Sequence, residues 1–89
     1  MKYLVGALIT MAIAAEIEVG QIYQHYKGKQ YEIIAVGLHT ETLEKYVVYR
    51  ALYDDPEFGN NALWLRPLSM FVEYVLVNGE HVLRFKLIS

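Results

Sequence analysis

From Val19 onward, apolar and polar residues alternate in short runs broken by turn residues, the pattern of strand, turn, strand. Gln21–Tyr26 places Ile22, Gln24 and Tyr26 on one face and Gln21, Tyr23 and His25 on the other. Lys27-Gly28-Lys29-Gln30 is a tight connection in which Gly28 can take positive φ. Tyr31–His39 carries Ile33, Ile34, Val36 and Leu38, so both faces are apolar. That predicts a central, strongly bent strand with Gly37 as a bulge position. A polar connection, His39–Lys45, leads into Tyr46–Tyr53, the strongest strand signal in the chain. Asp54-Asp55-Pro56 ends it, and the run to Asn61 has the chemistry of an exposed loop. Ala62–Arg66 makes a short strand that Pro67 stops, and Pro67 can open one helical or 3₁₀ turn through Phe71. Glu73–Val77 and His81–Leu87 form a hairpin about Asn78-Gly79, where a type I′ turn needs positive φ at both residues.

Five or six short strands with one short helical or 3₁₀ turn predict an all-β fold, a small and strongly curved SH3-like barrel. Closure suits so small a sheet because it removes exposed edges. An OB-type barrel fits less well, since no helix of adequate length separates the strands. The barrel domain is expected over residues 16–89.

Residues 1–15 form a distinct apolar segment, too short for a transmembrane helix, which needs about 20 apolar residues. Three readings stand. The segment is a secretory signal, with Lys2 as its basic start, Tyr3–Met11 as its apolar stretch and cleavage before Ala15. Translation begins instead at Met11. Or the segment packs on the domain as a helix or edge strand.

Composition narrows the chemistry. The 89 residues contain no Cys, which excludes disulfides and thiolate zinc sites. Eight Tyr, three Phe and one Trp are left to fill a small core, each removing about 150–250 Å² from water when buried. A net charge of −2 gives no broad footprint for duplex DNA. No cofactor motif or metal-ligand spacing is present, and no stable membrane span.

Several words in the chain are specific. Tyr23-x-His25-Tyr26-Lys27-Gly28, Tyr31-Glu32, His39-x-Glu41-Thr42 and Val47-Val48-Tyr49-Arg50-Ala51-Leu52 occur in that order. Leu63-Trp64-Leu65-Arg66-Pro67, Met70-Phe71 and Arg84-Phe85 follow. Together they resemble the DUF1653 family, small bacterial proteins of uncharacterised function, from about Gly20 to Phe85. The resemblance implies a cytoplasmic single-domain protein and supplies no catalytic residue. Family members start close to the equivalent of Gly20. Residues 1–15 therefore depart from the pattern, which favours the Met11 start or an export signal over a structural role.

Many of these residues are polar or ionisable, where a motif built only for packing would be apolar. Arg66 offers a planar fork for carboxylate or phosphate. Trp64 and Tyr49 offer a stacking or cation-binding surface, and His39 and Glu41 can orient a ligand from the neighbouring loop. The expectation is a non-catalytic binding module for a planar or anionic small molecule, a peptide or single-stranded nucleic acid. The alternatives are a small enzyme using His39 and Glu41 as an acid–base pair, or an exported structural or interaction protein. Trp64 and Arg66 share a strand face, so a guanidinium stacked on the indole as a purely structural pair is the competing reading.

Overall fold

Residues 17–89 are described in the computed structural model, so the apolar run at 1–15 and the readings placed on it lie outside the described residues. In chain order the elements are β1 (Ile22–His25), β2 (Gln30–Leu38), β3 (Lys45–Ala51), β4 (Asp54–Asp55) and β5 (Gly59–Asn60). There follow β6 (Leu63–Pro67), a single helical turn α1 (Leu68–Phe71), β7 (Tyr74–Val77), β8 (Glu80–Leu83) and β9 (Phe85–Leu87). Five strands form one antiparallel sheet in the order β6-β3-β2-β1-β9, and β4–β5 and β7–β8 are separate two-stranded ribbons.

The all-β expectation holds, but the hydrogen-bonded closure does not: the sheet ends at β6 and at β9. The reason lies at Arg84. The expected last strand breaks there, the Arg84 N–H donating to Glu73 O and the Arg84 carbonyl accepting from Tyr26 N. The segment before the break peels away as the β7–β8 ribbon, leaving only Phe85–Leu87 to join the sheet. The Asp54–Asn61 loop also differs from expectation, because its two arms pair as β4 and β5.

The bulge falls one turn of the pattern away from where glycine suggested. Gly37 pairs in register with Tyr46, whereas the β2–β3 register shifts between Ile33 and Ala35. Ile34 is thus the extra residue. It shifts the concave-face parity from Tyr31 and Ile33 to Val36 and Leu38, which are exposed at the end of the strand, and this is why both faces read as apolar. At the last hairpin, Asn78 (φ 51) and Gly79 (φ 81) both adopt the left-handed region that the type I′ turn requires.

Register identifies the concave face. Tyr23 opposes Tyr31, Ile33 opposes Tyr49, Tyr49 opposes Trp64 and His25 opposes Phe85. Tyr23, Ile33, Val47, Tyr49, Phe71 and Phe85 form the buried core on that face. Phe85 is its centre. Its ring stacks on Phe71 at 4.1 Å and meets His25, Tyr31 and Tyr49 edge-on at 5.0, 5.8 and 5.4 Å. In a flat sheet β9 would lie about 14 Å from β3. The Phe85–Tyr49 contact therefore requires the sheet to curl tightly, and edge-to-face pairs of this kind add about 0.5–1.5 kcal/mol each beyond burial.

Two outcomes test this packing. Phe85→Ala is expected to lose about 3–5 kcal/mol in urea denaturation, most of the stability of so small a domain, while Phe85→Leu retains the fold at reduced stability. Leu43, in the β2–β3 connection, holds φ at 60° although its side chain is 68% exposed. Left-handed backbone costs a residue of this type about 1–2 kcal/mol, so Leu43→Gly is expected to raise the denaturation midpoint; a lowered midpoint would contradict the strain.

Candidate functional site

The concave face beside the core carries the polar chemistry. β6 alternates, sending Trp64 and Arg66 inward and Leu63 and Leu65 outward. The Arg66 side chain extends across the hollow of the sheet. Its Nε donates to the Tyr49 hydroxyl at 3.1 Å, and its guanidinium lies 5.5 Å from the centre of the Phe85 ring. It thus links edge strand β6 to edge strand β9, where no backbone ladder runs.

The chain has three arginines, and two of them have carboxylate partners. Arg50 meets Glu32 at 3.2 Å and Arg84 meets Glu73 at 2.6 Å. Arg66 has no carboxylate within ion-pair distance among the described residues. Half-buried and held only at Nε, it keeps its terminal amino groups for another acceptor.

Further aromatic contacts involve Tyr31, Tyr53, Phe58 and Trp64. The Tyr31 and Tyr53 hydroxyls share a hydrogen bond of 2.7 Å, and Lys29 Nζ lies 4.7 Å from the centre of the Tyr53 ring. Burial, then the bond to Tyr53, pushes the Tyr31 phenol well above its ordinary range. Trp64 meets Phe58 edge-on at 5.0 Å. Phe58 is presented by the loop after β4, which is pinned by the Asp55 carboxylate accepting from the N–H groups of Phe58 and Glu57. Those two bonds draw the Asp55 pKa down. The indole N–H of Trp64 is screened from water and has no acceptor among the described residues.

His25 lies within the field of neighbouring cations. Its Nδ1 accepts from Lys27 N–H at 3.2 Å, which places the proton of the neutral ring on Nε2. The residue also lines a groove of about 490 Å³ between the β1–β2 turn and the β7–β8 ribbon. Burial lowers its pKa, and the charges of Arg66, Arg84 and Lys27 lower it further.

Of the residues expected from sequence, Tyr49, Trp64 and Arg66 are brought together, with altered roles. Tyr49 is only 4% exposed, so it cannot act as a stacking platform; it holds Arg66 through its hydroxyl. The guanidinium rests on Phe85 rather than on the Trp64 indole, so the indole–guanidinium stack is replaced by a different ring. His39 and Glu41 stand apart. His39 Nδ1 accepts from the backbone N–H groups of Glu41 and Thr42 at 3.2 and 3.3 Å, capping its own turn. Its ring lies against Tyr46, in a groove with Val48 and Leu65 on the opposite sheet face. Only the Glu41 backbone meets the ring. His25, Tyr31, Tyr53 and Phe85 escaped the sequence reading of the site, although period-two alternation places His25 and Phe85 on the Trp64 face once the register is known.

The DUF1653 profile, which describes a protein family of unknown function, matches residues 21–87. The chain belongs to the DUF1653 family. A crystal structure of a DUF1653 protein from Bordetella bronchiseptica is similar, with a TM-score of 0.70 and 28% identity over 83% of this chain and 90% of that one. Among curated proteins none matches. The described part of this DUF1653 chain contains no helix long and apolar enough to cross a membrane.

The depressed His25 pKa makes stability depend on pH in a defined direction. Above the ordinary value of 6.5 both states hold a neutral ring. As pH falls through that value the unfolded chain gains a proton that the folded chain refuses, so stability declines until folded His25 also ionises. Urea midpoints measured from pH 7.5 to 5 are expected to fall more steeply for the native chain than for His25→Asn; parallel slopes would remove His25 as the source.

Proposed function

We propose that this DUF1653 domain is a non-catalytic binding module whose concave face takes a planar, anionic ligand. A nucleotide unit, free or within a single strand, has the required chemistry. The observation that carries the reading is Arg66: its two terminal amino groups have no carboxylate partner among the described residues, and its guanidinium rests on the Phe85 ring. A partly desolvated guanidinium binds carboxylate or phosphate more strongly than an exposed one and takes it bidentately. Lys29 adds positive potential beside Tyr53, and the rings of Trp64, Phe58 and Tyr53 favour a flat ligand over a branched one. A ligand that displaces the Phe58 ring would also give the Trp64 N–H an acceptor.

The scaffold in this reading is an SH3-like barrel left open at one seam, with the Arg66–Phe85 contact standing where a fifth ladder would close it. The site of action in this reading is the cytoplasm. His39 and Glu41 contribute to the β2–β3 turn, and no geometry favours them as an acid–base pair.

The test is titration with uridine 5′-monophosphate and a short oligothymidylate, followed by Trp64 fluorescence and by the His25 ring resonances. Saturable binding is expected, with the His25 pKa rising as the anion neutralises the field of Arg66. Arg66→Lys, which loses the fork but keeps the charge, is expected to weaken binding about tenfold or more, corresponding to about 1.5–3 kcal/mol for a charged hydrogen bond. If neither probe perturbs the native chain and Arg66→Gln simply lowers the melting temperature, Arg66 is a structural latch and the reading fails.

A further inference from the structure

The outer side of β6 carries a second, independent feature. Ala51 N–H donates to Ala62 O at 2.8 Å, and closely bonded pairs in an antiparallel ladder recur every second residue. Trp64 and Arg66 therefore turn their backbone groups toward β3, while Leu63 and Leu65 turn theirs away from the sheet. The same two leucines project from the convex face, 58% and 68% exposed. Among the described residues nothing pairs with this edge.

Exposed edges are ordinarily blunted by a charged side chain on the strand. The other edge of this sheet follows that rule, since β9 carries Lys86 at its midpoint, facing outward. The convex side of β6 has only leucine, and its one charge, Arg66, is committed to the concave side. An apolar edge with outward-facing amides fits an extended strand of matching apolar spacing, and β6 itself has that spacing.

We propose that β6 is a homodimer edge: two copies pair antiparallel through Ala62–Arg66, extending the five-stranded sheet across a two-fold axis. The register follows from Pro67. A pairing centred on Leu65 would oppose Leu63 to Pro67, which has no N–H to give. A pairing centred on Trp64 opposes each Leu63 to Leu65 of the second copy, so that both outward-facing amides and both carbonyls are used. It also stacks leucine against leucine on the convex face and brings no like charges opposite one another. An interface this narrow lies at the small end of stable assemblies, so the dimer dissociates on dilution through the micromolar range.

Sedimentation velocity of the full chain over a concentration series tests it. The expected result is a mass approaching twice 10.3 kDa at high concentration and falling to the single-chain mass on dilution. Leu65→Lys, at a largely exposed position, is expected to stay monomeric throughout with an unchanged circular dichroism spectrum, and Leu63→Lys repeats the measurement from the other position. Because the chain has no cysteine, register can be read directly. A mixture of Leu63→Cys and Leu65→Cys chains is expected to crosslink under mild oxidation, at a Cα spacing suited to a disulfide, while each variant alone crosslinks poorly. A native chain that is monomeric at every concentration, or lysine variants that dimerise like the native chain, would overturn the proposal. Loss of dimerisation with nucleotide binding intact leaves the concave-face reading standing, so the two fail separately.

Discussion

The whole domain turns on one aromatic contact set, the packing of Phe85 against rings from every other part of the curled sheet. With no cysteine, the chain has no disulfide to staple a core this small. Phe85 substitutes for one geometrically. It arrives on the last strand, the shortest of the five-stranded sheet, yet it reaches His25 of β1, Tyr31 of β2, Tyr49 of β3, Phe71 of α1 and the Arg66 guanidinium of β6. A side chain that touches the other four strands of the sheet fixes their curvature more effectively than a backbone ladder between two of them. The order of the chain makes this a late and long-range contact, pairing the C-terminal strand with elements made much earlier.

That constraint also determines where chemistry can be placed. Curling the sheet leaves a seam between β6 and β9, and the side chain lying there must be long, partly apolar along its stem and polar at its tip. Arginine meets those demands, and its guanidinium lies over Phe85 while Nε is held by Tyr49. The same placement withdraws the guanidinium partly from water without supplying a carboxylate among the described residues. Closing the seam and leaving a guanidinium without a carboxylate partner among the described residues are thus one structural event. The electrostatic consequence reaches His25, whose protonated form is disfavoured by burial and then by Arg66.

Much of this architecture is legible in the residues. Asn78-Gly79, the Pro67 stop and the dense Tyr46–Tyr53 run each state a local rule, and the structure follows them with small shifts of boundary. The shared face of Trp64 and Arg66 follows from alternation alone. What escaped were features decided by partners distant in sequence. The Ile34 bulge could not be separated from a bend at Gly37, because a run apolar on both faces conceals the parity change. The break at Arg84 depends on backbone bonds to Glu73 and Tyr26, which no local pattern announces. Tyr49 reads as a binding surface from composition and becomes core only through contacts with Phe71 and Phe85. His39 reads as chemistry from its spacing to Glu41, when that spacing is what lets its ring accept from the backbone of its own turn.

The strand Leu63-Trp64-Leu65-Arg66 shows how one short element carries two separate demands. Period-two geometry sends alternate residues to opposite faces, so Trp64 and Arg66 answer only to the concave interior and Leu63 and Leu65 only to the outside. Backbone direction is sorted by the same parity: the inward residues are those bonded to β3, and the outward residues are those whose amides face away. A substitution at one parity therefore leaves the other set of contacts in place, and each face can be tested without disturbing its neighbour. Pro67 terminates both patterns at a position where its missing N–H breaks no bond to β3, and it turns the chain into α1, which delivers Phe71 onto Phe85. The edge strand, the concave face and the core thus meet within nine residues, and the ring of Phe85 is the surface on which all three depend.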